Sequence, residues 1–355
     1  MTEVAVLVFH PEPAPDAGPL TRATADARRR SAERHVRGFL AAGATRATIV
    51  ADPPDDRSFG ARLRDRLDDI ADGGLIALGS GAIPLATRAD RRVFVAAAAA
   101  DRPRALTNNR FSADVIAVAR ARESLRDLPD LPTDNGLPRW LEEVRGVPVD
   151  DLRPRTRLGL DIDGPLDLVL LGGRWTAGME ADATQRVRVA IDGVRRAVTD
   201  PLAELVVTGR VSAANLAWLE ARTASRTRAL IEERGLRVAL PGQRPAASVL
   251  GALLDRDGPG SLGAHLTRLG DAAVVDTRVL LAHRLGVDER RWPAAEDRFA
   301  SDLLLHERID DPWLRDLTRS VVDAPIPVLL GGHTLVGPGL RLAVRPARSA
   351  SDRHE

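Results

Sequence analysis

Two periodicities alternate along the first part of the chain. Val4 opens an unbroken apolar run that ends at Phe9 and is followed by Pro11, Pro13 and Pro15, the pattern of a buried strand that stops at a loop. Over residues 23–42 the apolar Ala32, Val36, Phe39 and Leu40 recur at helical spacing, and Gly43 stands where a helix-ending glycine belongs. Residues 47–50 read as a second strand. Residues 57–70 read as an amphipathic helix closed by Gly73 and Gly74, and residues 75–78 as a third strand entering Gly79-Ser80-Gly81. Three strand–helix alternations predict an α/β sheet with parallel strands at its centre.

Further on, the pattern predicts a helix over 90–100, a strand over 115–118, a proline-rich and acidic loop over 127–138, and a short helix over 140–144 that Gly146 ends. Residues 158–163 read as a strand, after which Gly164-Pro165 starts a helix with Pro at its first position. Gly172, Gly173 and Gly178 interrupt the pattern. The expected organisation is a first α/β domain over 1–175, a second, more helical α/β domain over 180–344, and a disordered tail over 345–355. Within the second domain the reading gives a strand over 205–208, a helix from the N-cap Ser212 to Glu233 stopped by Gly235, and a strand over 236–240. A helix opened by Asp311-Pro312 then ends before Pro325, and a strand over 326–330 runs into Gly331-Gly332-His333.

Composition narrows the chemistry. The 355 residues are 44% apolar and 28% charged, as in a globular chain of two domains or one large one. Fifty-one basic against fifty acidic side chains leave a formal charge of +1, so no field for a polyanion is implied and a nucleic-acid partner is not expected. The chain has no Cys, no Lys and no Tyr, which excludes thiolate nucleophiles, zinc–cysteine sites, Schiff-base chemistry and a Walker-type lysine. Met1-Thr2-Glu3 leads straight into the apolar run without a basic segment, and that run is too short to span a membrane, so a cytoplasmic protein without membrane partners is expected.

Ligands of α/β sheets bind beyond the carboxyl ends of strands, and three such places carry chemistry. Gly79, Ser80 and Gly81 follow the third strand and suit a phosphate nest, the alternative being a simple turn. Asn108 and Asn109 bring amides that suit a base edge or a ribose hydroxyl, the alternative being an Asx turn into the next strand. Asp161 and Asp163, two apart, put two carboxylates on one side of a strand end, where they suit Mg²⁺ or Mn²⁺; the alternative is that Asp163 caps the next helix while Asp161 pairs with an arginine.

Residues 1–171 resemble the nucleotidyltransferase branch of the nucleotide-diphospho-sugar transferase superfamily, with its GT-A-like fold. The likeness is carried by the succession of the first strand and helix, the segment from Gly43 to Asp52, the phrase from Leu78 to Leu85, and Asp161-Ile162-Asp163-Gly164-Pro165-Leu166-Asp167-Leu168, which resembles the family's closing Asp-x-Asp-Thr-Pro-x-Asp-Leu with Gly164 in place of Thr. The resemblance implies transfer of a nucleotidyl group from a nucleoside triphosphate to a small phosphorylated acceptor, with Asp161 and Asp163 holding the metal. Two positions depart from it. Pro-rich His10 to Pro15 stands where members carry a Gly-rich basic loop, and Ala82 stands where members carry a second metal-binding Asp. Those departures point to the alternative of a noncatalytic descendant that binds a nucleotide or a partner.

The second half suggests its own candidates. His265, His283, His306 and His333 are four of the seven His, and they accompany Asp276, Arg278, Glu296, Asp297, Arg298 and Asp302. A third reading is therefore a metal-dependent enzyme built on Asp276, Arg278, His283, Asp302, His306 and His333. Asp302 and His306, four apart on one expected helix, would share a face.

Overall fold

The computed structural model describes residues 2–51, 57–67, 70, 73–232 and 244–345. The chain divides into two compact units, Met1–Ala17 with Thr24–Ile162, and Gly18–Ala23 with Asp163–Glu355. The division expected near residue 175 thus falls at 162/163. Helix Pro165–Leu171 belongs to the second unit because Leu166, Val169 and Leu170 pack into that unit's core.

The first unit is built on a six-stranded mixed sheet of β1 (Val4–Phe9), β2 (Arg46–Val50), β3 (Gly74–Gly79), β4 (Ala105–Thr107), β5 (Val115–Val118) and β6 (Val149–Asp151), in the order β2-β1-β3-β5-β4-β6. β1 is parallel to β2 and β3, whereas β5 runs antiparallel to β3 and β4. The pleat sorts each apolar run between two faces. Val4, Val6, Val8, Ile76 and Leu78 enter one core with Phe39 and Phe94, while Ala5, Leu7, Leu75 and Ala77 enter the other with Leu63. Such two-sided burial explains why these strands read as continuous apolar runs. Helix α1 (Pro19–Leu40) leads from β1 to β2 on one side, and α2 (Phe59–Leu67) leads back to β3 on the other. The strand order therefore reverses between β1 and β3.

The second unit carries β7 (Glu204–Gly209), β8 (Arg226–Ile231), β9 (Ala272–Asp276) and β10 (Val328–Gly331), all parallel, in the order β10-β9-β7-β8. Here the order reverses between β7 and β9. Leu205, Val207, Val274, Leu329 and Leu330 are fully buried beneath the surrounding helices.

The structure corrects three sequence expectations. Residues 158–163 are not a strand: a 3₁₀ turn at Thr156–Gly159 is followed by irregular chain. Leu158, Leu160 and Ile162 are buried as their alternation demands, but the backbone finds loop partners in place of a ladder, Ile162 N–H donating to the Gly81 carbonyl at 3.1 Å. The helix capped by Ser212 ends at Arg222, not Glu233, and β8 follows. β8 is an edge strand with a mostly exposed surface, so it lacks an apolar signature. Helix Ala295–Asp302 stops at Asp302, and His306 opens a separate 3₁₀ turn, so the two do not share a helix face. The expected strand over 236–240 and the tail over 346–355 lie outside the described residues. Among the described residues no helix is long and apolar enough to cross a membrane.

Candidate functional site

The reversal of strand order in the first unit brings the ends of β1 and β3 side by side, with Phe9 paired to Gly79. The next residues, His10 and Ser80, are both buried, and His10 Nδ1 lies 3.1 Å from Ser80 Oγ. Burial, then the charges of Arg29 and Arg28, lower the His10 pKa against the opposing charges of Glu12 and Asp26. Gly79 faces the opposite side. A side chain there would meet no atom within 4 Å, and a cleft of about 60 Å³ opens over it, walled by Phe9, Phe59 and Asp114. Phe9 and Phe59 stand edge to face with centroids 5.7 Å apart.

The remaining sequence candidates of this unit have structural partners. The Asn108 amide donates to Asp114 Oδ2 at 2.7 Å and to the Leu158 carbonyl at 2.9 Å, and its oxygen accepts the N–H groups of Asp114 and Val115. Both of its donor hydrogens are thereby engaged, one at the start of β5 and one at the 3₁₀ turn Thr156–Gly159. Asn109 Oδ1 accepts the Phe111 N–H at 3.1 Å, which is the Asx turn.

The carboxylates named for Mg²⁺ or Mn²⁺ each have a hydrogen-bond partner within their own unit. Asp161 closes the first unit and Asp163 opens the second. Asp161 Oδ1 accepts the Ile162 N–H at 2.8 Å, while Asp163 Oδ2 accepts the Thr334 hydroxyl at 2.8 Å. It is Asp167, not Asp163, whose carboxylate caps helix Pro165–Leu171, accepting the N–H groups of Asp163 and Gly164. Among the described residues no group of three or more His, Asp or Glu side chains is arranged to hold a metal. No family model and no curated protein matches the chain.

The second unit assembles part of its candidate set, again where strand order reverses. Asp276 ends β9 and accepts both N–H ends of Arg210, which follows β7, at 2.7 and 3.2 Å. Arg278, half-buried two residues on, grips Asp302 with bonds of 2.5 and 2.6 Å. Burial opposes the Arg278 charge, but Asp302 first, then Asp276 and Asp163, raise its pKa above the ordinary value. Asp167 is raised well above the carboxylate range by burial and by Asp163, against the N–H groups of Gly164 and Asp163. Gly209 belongs at this junction. Its φ of +110° is strained for any other residue, and a Cβ there would collide with the Asp276 side chain.

His283 and His306 have partners of their own. His283 Nδ1 accepts the Ser248 N–H at 3.1 Å and Nε2 lies 2.9 Å from Asp255. His306 sits beside Glu307 at 3.3 Å, and His333 opens the short helix His333–Val336 after β10. Sequence reasoning missed His10, Arg210 and Asp167. For Arg210 a signal existed: Thr208-Gly209-Arg210-Val211 and Asp276-Thr277-Arg278-Val279 each place an arginine just past a buried strand.

Proposed function

We propose that the first unit is a nucleotide-binding module of nucleotidyltransferase-like build, which takes a nucleoside triphosphate or similar phosphorylated ligand across the carboxyl ends of β1 and β3 and binds it without transferring the nucleotidyl group. The observation that carries this reading is the open crevice over Gly79 at the point where strand order reverses. Phe9 and Phe59 offer an aromatic wall to a base. On the α1 side Arg28 and Arg29, whose charges reach His10, stand near the same strand ends in a chain that has no Lys, the Arg28 Nε donating to the Ile162 carbonyl at 2.6 Å. Binding is favoured over transfer because position 82, where the family carries a metal-binding Asp, is a buried alanine.

The test is thermal unfolding of the full chain with ATP, GTP, CTP or UTP, each with and without Mg²⁺ or Mn²⁺. A ligand at a hundred times its Kd adds about 2.7 kcal/mol to the folded state. At least one nucleotide raises Tm with or without metal, and no pyrophosphate is released when small phosphorylated acceptors are added. Absence of any shift rejects the binding reading. Metal-dependent pyrophosphate release rejects its noncatalytic part and restores the transferase.

A further inference from the structure

The second unit holds a larger cavity at the end of its sheet opposite to the strand reversal. It lies at the amino ends of β9 and β10, since Asp271 precedes β9 and Ile326 and Pro327 precede β10. The cavity measures about 550 Å³, within the ~300–1,000 Å³ typical of small-molecule sites. Its floor is made of buried Ala190, Leu304 and Val321. At its mouth Val189, an apolar side chain, stays 58% exposed. Gly193 shapes one wall, because a Cβ there would stand 2.6 Å from Pro327 and close it.

The polar rim carries two arginines against one carboxylate, that of Asp271. Arg186 is held by Glu307 and by the Leu304 carbonyl, at 2.7 and 3.1 Å, and Asp271 already accepts the Glu204 N–H at 2.9 Å. The Arg196 guanidinium is exposed on the rim and has no hydrogen-bond or ion-pair partner among the described residues. An apolar hollow whose rim holds more positive than negative side chains, with Arg196 the one that has no partner among the described residues, is complementary to a molecule that is apolar at one end and anionic at the other.

We propose that this groove is a binding site for a small amphipathic acid, whose hydrocarbon body lies over Ala190 and Val321 and whose carboxylate pairs with Arg196. The site is independent of the nucleotide crevice and stands or falls without it.

Calorimetric titration of the full chain with decanoate, decylammonium and decanol tests it, since the three share a tail and differ in head charge. Decanoate binds saturably, at least about tenfold tighter than decylammonium, with decanol between them. Arg196→Ala removes most of the difference between acid and amine, and Val189→Glu weakens decanoate about tenfold or more. Both positions are solvent-facing, so each variant keeps the Tm of the parent. Equal affinity for the three heads, absence of saturation, or binding that neither substitution changes overturns the proposal. So does a dimer in light scattering that Val189→Glu dissociates, which makes the groove an interface between copies of the chain.

Discussion

His35, inside the first unit, donates through Nε2–H to the Ala82 carbonyl at 2.8 Å, while its Nδ1 is buried without a partner. Burial, then the neighbouring Arg91 charge, push its pKa down to about 3. In the unfolded chain the same ring takes a proton near pH 6.5. Between those values the unfolded state binds more protons than the folded one, so stability is full above pH 6.5 and falls as pH drops toward about 3. The limiting slope is ~1.4 kcal/mol per pH unit for each such group. His10 acts in the same direction. Urea unfolding is therefore expected to show lower stability at pH 5 than at pH 7.5, and His35→Gln, whose amide can still donate to Ala82, to flatten that dependence. An unchanged slope in the variant contradicts the assignment. At this scale the sequence was partly legible. Glycines beside Ser80 marked the crevice, but His10 stood among prolines with no pattern to single it out. The Asn pair was visible as chemistry, yet its partners lie 6, 7 and 50 residues away for Asn108 and only two away for Asn109.

Elements are held at their ends by carboxylates that propensity alone does not reveal. Helix α3 (Arg88–Ala98) starts with a capping box, Thr87 accepting the Asp90 N–H while Asp90 Oδ2 accepts the Thr87 N–H. Burial would raise the Asp90 pKa, but Arg157, Thr87 and Arg155 outweigh it and hold the carboxyl well below its ordinary range. Asp90 thus anchors the segment that leads to Asp161. Asp90→Ala is expected to cost about 2–4 kcal/mol, less than a fully buried pair because both arginines reach solvent. The Asp90 contribution is present above pH 4 and is lost as pH falls through the depressed value, so parent and variant converge in acid. The first turn of α1 depends on Glu296, whose two carboxylate oxygens accept the N–H groups of Leu20 and Thr21 at 3.0 Å each. Glu296→Ala is expected to cost about 1–2 kcal/mol in denaturant unfolding. The existence of α1 was legible in its apolar spacing. Its cap was not, since the partner is 276 residues away. β8 was illegible for a different reason: a strand at an exposed edge owes its place to backbone pairing with β7, which leaves no imprint on side-chain hydrophobicity.

Across the described residues a mixed sheet and a parallel sheet repeat one device, a reversal of strand order that opens the carboxyl ends of two neighbouring parallel strands. Apolar runs announced six of the ten described strands, β4, β6, β8 and β9 going unread, and the alternation with helices announced the α/β class. Strand order, which decides where a crevice forms, was not readable from periodicity because every buried strand looks alike to it. The reversals nevertheless carry different chemistry. In the first unit Gly79 leaves open space, whereas in the second Arg210, Asp276, Arg278 and Asp302 satisfy one another. That contrast is why a nucleotide site is proposed for the first. The most direct measurement is calorimetric titration of the nucleotide that stabilises the parent chain into the parent and into Gly79→Val. Open space around position 79 lets the variant fold with an unchanged Tm, and its isopropyl group fills the cleft. Saturable binding to the parent, weakened about a hundredfold or more in Gly79→Val, is the result predicted here. Equal affinity in the two proteins would place the nucleotide elsewhere and contradict the account.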